Sequence, residues 1–343
     1  MIEKTRRLQS AHELFQPEQA HIFFCYHRQH PLVTMSVNNQ LGLCCLHIGL
    51  QEEGHKFQTM TAKRFNELSR QDALDTLSDR YINNLKVLRK ILAECVKNKW
   101  VYRANTDIFP LMTLAEANVT WDTIPKRKVI DMYLDECAQV VVDNNLRISC
   151  HPDQYNVLAS DNLVAVERTI VELNHHGWLM TRLGATQSYD SPINIHINSC
   201  RGTTQEIIAR FAENFARLSN DVRSRLVVEN EDKGLWNVSN MLQFHDATKI
   251  PITFDYLHHA CNNDGMSEQE AFGLCSLSWH GHKPLFHYCE SMPNQDNPRK
   301  HADYPTATPS TYGQSVDLDY EFKMKDLALH MATKMSMARQ TLA

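Results

Sequence analysis

Eight short apolar segments recur along this chain, most of them at intervals of roughly 30 to 45 residues. They are Leu41–Ile48, Val101–Ala104, Leu146–Cys150, Ile193–Ile197, Arg225–Val228, Ile250–Phe254, Pro284–Phe286 and Val316–Tyr320. All but the seventh run directly into a segment with helical periodicity. Leu74, Leu77, Tyr81, Leu85, Leu88 and Leu92 form one apolar stripe, and helices are expected over Lys126–Asn144, Leu163–Leu183, Trp236–His245 and from Met324 onward. Thr203-x-x-Glu206 and Ser267-x-x-Glu270 have the form of capping boxes that open two more. Strand–helix alternation of this kind implies a parallel sheet, and eight units imply closure. The expected fold is α/β, a single (βα)8 TIM barrel. The seventh connection, Tyr288 to Ser315, is proline-rich and aperiodic, as functional loops often are.

A chain of 343 residues suffices for one barrel-sized core. No linker or low-complexity tract divides it, so the expected division is an N-terminal extension, 1–38, ahead of a barrel domain, 39–343. The extension carries Arg6, Arg7 and an apolar patch, Ile22-Phe23-Phe24, and Glu3, Glu13 and Glu18 interrupt any targeting pattern. The 35 basic and 40 acidic side chains give a net charge of −5, which argues against a broad electropositive surface. Carboxylates that hold divalent cations would count as negative in that sum, so nucleic acid stays open as a partner. Ten Cys without framework spacing read as reduced thiols, and no apolar run is long enough to span a membrane. The expectation is a cytoplasmic, nucleoid-associated monomer. The 18 His are the unusual feature, because imidazole is a poor core filler and a good ligand for transition metals.

Histidines and carboxylates stand where the apolar segments end. Thr253-Phe-Asp-Tyr-Leu-His-His-Ala-Cys261 delivers Asp255, His258 and His259; other segments end at His151, His196, Glu229, His287 and Glu321. In a barrel the carboxyl ends of all strands meet on one face, so these residues converge. They are too many for one four-coordinate ion and fit a cluster of two or three divalent metals. Such a cluster suits phosphodiester hydrolysis, and equally aldose isomerisation; spacing leaves both open. Zinc-finger spacing is absent.

Several ordered motifs resemble the UV damage endonuclease family, itself similar to endonuclease IV and more distantly to the xylose isomerase-like barrels. His151-Pro-Asp-Gln-Tyr155 looks like the family's His-Pro-Gly-Gln-Tyr. Glu229-Asn-Glu-Asp resembles its Glu-Asn-Asp segment, and Asp255-Tyr-Leu-His-His259 its Asp-x-x-His-His segment. His301 and Asp317-x-Asp-Tyr-Glu-Phe-Lys-Met-Lys325 complete the set. The likeness runs from about Leu41 to Lys325.

The resemblance implies a metal-dependent endonuclease that nicks double-stranded DNA 5′ to UV photoproducts (cyclobutane dimers and 6-4 photoproducts) and, in some members, at abasic sites. By position it implies one metal on His151, His196 and Glu229, a second sharing Glu229 with Asp255, His287 and Glu321, and a third on His258 and His301. Manganese is the first expectation, with magnesium, cobalt or zinc as alternatives. Glu229 and His259 stand as the catalytic pair, with His259 orienting His258 or binding phosphate, and a buried structural histidine as the equal alternative. Gln154 and Tyr155 are implied to wedge into the duplex, where a ring can take the stacking place of a displaced base. Asn230, Arg103, Arg201, Lys233, Arg299 and Lys300 are the further DNA-contact candidates, the basic ones through phosphate.

Three positions depart from the family pattern. Leu43 replaces a first-strand tyrosine, and Leu114 a histidine after the second strand. Leu285 replaces a lysine two residues before the strand-seven histidine, which in a relative is modified and sits by the metals; nearby Lys283 is not expected to take its role. An apurinic endonuclease with little photoproduct activity, a sugar isomerase and an inactive DNA-binding relative are the competing readings.

Overall fold

The computed structural model of the protein describes residues 39–342. Its eight strands are β1 (Leu41–Cys44), β2 (Val101–Ala104), β3 (Ile148–Cys150), β4 (Ile193–Ile195), β5 (Leu226–Glu229), β6 (Ile252–Thr253), β7 (Leu285–Tyr288) and β8 (Asp317–Tyr320). They form one parallel sheet in the order β6-β5-β4-β3-β2-β1-β8-β7. The ends meet where Asp255 bridges His287 and the His287 amide donates to the Phe254 carbonyl at 2.9 Å. The result is the expected (βα)8 barrel. The expected extension, residues 1–38 with its Ile22-Phe23-Phe24 patch, lies outside the described residues.

The helices form where pattern and cap agree. In Arg70–Asn98 the stripe Leu74, Leu77, Tyr81, Leu85, Leu88 and Leu92 is buried, and the Ser69 side chain accepts from the Asp72 amide. Thr203 and Glu206 make the full reciprocal capping box of helix Thr204–Phe215, and Ser267 caps Glu268–Leu277. No helix interrupts the β7–β8 connection. That loop folds around Glu290, whose carboxylate accepts from the Thr306 and Ala307 amides at 2.9 and 3.0 Å.

Two strands fall furthest short of their apolar runs. The first stops at Cys44 instead of Ile48, because His47 caps a five-residue helix, Ile48–Glu52, and Asp326 takes up the Gly49 amide at 3.2 Å. The sixth is reduced to Ile252–Thr253 because Asp255 turns the chain at once into helix Tyr256–Cys261.

The barrel interior is polar along much of its length. At the amino end of the strands Arg147 donates to Asp317 at 2.8 Å, Lys283 pairs with the same carboxylate, and the Gln40 amide adds 2.8 Å. Lys283 is thereby held at the end opposite to the histidines. Leu43, Leu114 and Leu285 lie in or against the core, Leu43 and Leu285 almost fully buried. Above the Asp317 layer come Ser149, Asn194, Thr253 and Asp319, all buried. No helix among the described residues is long and apolar enough to cross a membrane.

Candidate metal centre

Strand β5 ends on Glu229, which is 1 % exposed and lies at the centre of the site. Four imidazoles face its carboxylate. His258 Nδ1 lies 3.0 Å from Oε1, while His287 Nδ1, His151 Nε2 and His196 Nε2 lie 3.0, 3.2 and 3.8 Å from Oε2. The buried amide of Asn194 donates to Oε2 as well. His151, His196 and His287 stand at the ends of three different strands and His258 in the helix that follows a fourth, which is how residues more than a hundred positions apart reach one carboxylate.

Backbone carbonyls hold two of these rings and that of His301 nearby. His151 Nδ1 is 3.0 Å from the Pro152 carbonyl, His258 Nδ1 2.9 Å from that of Asn230, and His301 Nδ1 3.0 Å from that of Glu321. A ring that donates Nδ1–H to a carbonyl carries its lone pair on Nε2. For His151 that lone pair then meets an ionised carboxylate at 3.2 Å, two acceptors face to face, and a cation between them removes the conflict. His287 Nδ1, 3.0 Å from Glu229 and 3.3 Å from Glu321, makes no aligned hydrogen bond to either, and Asp255 Oδ2 is buried without a partner among the described residues. Orphaned ligand atoms pointing into a shared space fit a metal cluster, and the imidazole–carboxylate set fits a transition-metal dication.

Three overlapping sets each bring their ligand atoms within 4.8 Å of one another: His151, Glu229 and His287; Glu229, Asp255 and His258; and Asp255, His287 and Glu321. The grouping differs from the one implied by resemblance. His258 joins Glu229 and Asp255, and His196 stands at the edge. His301 stays near Glu321, its Nδ1 3.8 Å from Oε2.

The charges agree with this geometry. Burial alone would lower His287, but Glu229 and Glu321 outweigh it and push the ring up to about 9. Burial would raise Glu229, but the charges of the surrounding imidazoles, His287 and His196 first, hold it well below the carboxylate range. Burial, aided by the neighbouring imidazoles and opposed by Glu229, holds His196 down at about 4. Glu321 is kept low, against its burial, by Arg103 and His287.

The other expected site residues divide into two groups. Tyr155 is 78 % exposed, and its loop is pinned from below: Asp153 Oδ1 accepts from the Tyr155 amide at 2.9 Å, and Asn198 donates to the Gln154 carbonyl at 2.8 Å. An open pocket of about 360 Å³ lies alongside, lined by Cys45, Arg103, His151, Pro152, Asp153, Gln154 and Glu321. Arg201, Lys233, Arg299 and Lys300 are on loops after β4, β5 and β7; Arg201 pairs with Asp161 at 3.0 Å and Arg299 with Asp232 at 3.7 Å.

Three residues are held differently from the expected roles. Arg103 is turned inward onto Glu321, so its guanidinium neutralises a cluster carboxylate. Asn230 is 1 % exposed and clamps the chain after β6, accepting from the Asp255 amide at 2.8 Å and donating to its carbonyl at 3.1 Å. His259 is brought to neither the cluster nor solvent: its Nε2 lies 3.2 Å from the Met266 carbonyl and its ring packs 5.3 Å from that of Phe254. Asn194 and Asp319 are further members of the site that the strand-end pattern alone does not mark. Each stands two residues before an expected ligand, His196 or Glu321, and a strand returns to the same face every second residue.

A closed ring of parallel strands with a buried nest of histidines and carboxylates at its carboxyl end defines a barrel enzyme whose chemistry lies in the barrel mouth. Residues 39–341 match the model of the UV-endonuclease UvdE family, and the chain belongs to that family, with it to the endonucleases. It is similar to the UV DNA damage endonuclease of Bacillus mycoides (strain KBAB4), 28% identical over 282 residues that cover 79% of this chain and 86% of the relative. The crystal structure of SacUVDE superposes with a TM-score of 0.74 at 28% identity, over 88% of this chain and 99% of that one. Endonuclease IV from Thermus thermophilus, at 11% identity and a TM-score of 0.51 over 86% of this chain and 98% of its own, shares the fold.

Proposed function

We propose that this chain is a metal-dependent DNA repair endonuclease that nicks duplex DNA immediately 5′ to UV photoproducts, with abasic sites as a second substrate. The observation that carries the reading is one carboxylate, Glu229, ringed by His151, His196, His258 and His287 in an open barrel mouth beside the exposed Tyr155. Two or three divalent ions, manganese first, would be held by those residues with Asp255, Glu321 and His301. Bound there, they supply Lewis acidity toward a phosphodiester and an activated water nucleophile. Glu229, common to two of the three ligand sets, would tie them together. Arg103 holds Glu321 in place, and the carbonyls of Pro152, Asn230 and Glu321 fix three of the rings.

The rim supports a duplex substrate over a small polyol. Tyr155 projects a ring that can stack in place of a displaced base, and its backbone is tied by Asp153 and Asn198 so that little order has to be gained on binding. Arg201, Lys233, Arg299 and Lys300 lie on the same face, within reach of phosphates.

A nicking assay with manganese tests this on identical duplexes carrying a cyclobutane dimer, an abasic site or no lesion. A cut 5′ to the dimer supports the reading and shows that Leu43, Leu114 and Leu285 are tolerated. Cutting at the abasic site alone moves the chain to the apurinic reading, and no cutting overturns both. Tyr155→Ala lowers dimer cutting about tenfold more than abasic-site cutting, the worth of one lost stacking contact. Equal losses on the two substrates would remove the probing role.

A further inference from the structure

Asp319 is a buried carboxylate, 1 % exposed, on β8 directly beneath the cluster. The β7–β8 register sets it opposite His287. Its Oδ2 lies 3.9 Å from His287 Nε2 and 3.4 Å from Ser149 Oγ, and its Oδ1 makes no hydrogen bond among the described residues. The neighbouring strand makes room for it: a Cβ at Gly42 would overlap Asp319 Oδ1, so β1 carries the residue type without one. Burying a carboxylate with half its hydrogen-bonding capacity unused is costly unless the group has a task. On its own strand the same-face neighbour of His287 is Leu285, which has no polar atom to offer the ring.

We propose that Asp319 is a positioning residue that accepts from Nε2–H of His287 and so turns its Nδ1 lone pair toward Glu229 and Glu321. This rests on the metal reading above. The proton stays on Nε2, the nitrogen facing Asp319, and Nδ1 is left to bind. Closing the present gap takes about an ångström of ring movement toward Asp319. A carboxylate behind a ligating imidazole fixes its tautomer and raises its basicity, and removing such a partner typically weakens metal affinity 10- to 100-fold.

Asp319→Asn keeps the volume and still fits against Gly42 while removing the charge. Calorimetric titration of chelator-treated full chain with manganese should show affinity about 10- to 100-fold below wild type, with the metal-free melting temperature unchanged or raised. A residue serving only to hold the fold would give the reverse, a lower melting temperature with unaltered affinity, and that result overturns the proposal. A second measurement does not depend on the variant folding: nitrogen-15 NMR of zinc-loaded wild type should find His287 protonated on Nε2. Protonation on Nδ1 overturns the proposal. If wild type itself binds neither ion, the metal reading falls together with it; if wild type binds and Asp319→Asn binds equally well, this inference alone falls.

Discussion

Glu229→Gln loses about a thousandfold or more in single-turnover cutting, ~4 kcal/mol of transition-state stabilisation, while the barrel stays folded. The amide is nearly isosteric, so the hydrogen bond from Asn194 and the packing at the end of β5 survive. What disappears is the charge that two of the three ligand sets share. No other carboxylate replaces it: Asp255 is engaged with the His258 amide at 2.7 Å, and Glu321 with Arg103. Circular dichroism checks the fold and a lesion-containing duplex the rate. Wild-type cutting in this variant would sink the central role of Glu229.

The second large effect is on stability. Metal at a hundred times its dissociation constant stabilises the chelator-treated protein by about 2.7 kcal/mol, and a chelator abolishes cutting. The gain has a pH dependence of definite sign. In the metal-free protein His287 is raised from 6.5 to about 9, so its contribution is fully present below 6.5 and is lost as pH rises through about 9. Glu229 is lowered, so its contribution is present above the ordinary carboxylate value and is lost only as pH falls through its depressed one. Manganese has to displace the His287 proton, so binding is weakest where that proton is held. The rise in melting temperature on adding manganese is therefore smallest near about pH 6 and largest near about pH 9. A rise that is flat across this range would show that His287 is not a ligand.

Much of this was legible from the sequence, for a physical reason. Strand ends in a parallel barrel are marked twice, by the end of an apolar run and by the polar residue that follows, so His151, His196, Glu229, Asp255 and His287 could be placed together without coordinates. Capping boxes at Thr203 and Ser267 are local chemistry and could be read locally. Side-chain direction is not local. Arg103 reads as a rim cation, yet strand alternation turns it inward to Glu321; Asn230 reads as a polar neighbour of Glu229, yet its amide fits the Asp255 backbone. His259 follows a ligand by one residue, and on a helix that rotates it away toward Phe254 and Met266. The shortness of β6 also depends on a cap, the Asp255 side chain on the His258 amide, that competes with extending the strand.

The seam between β6 and β7 is a single backbone bridge, and the two residues that make it, Asp255 and His287, are also cluster residues. Closing the cylinder therefore brings two candidate ligands side by side. Anything that draws these two side chains together tightens the last joint of the wall, and anything that drives them apart loosens it. The His287 amide, which spans the joint to the Phe254 carbonyl, becomes a built-in gauge of occupancy: its hydrogen exchange slows when the centre is loaded and quickens when it is stripped.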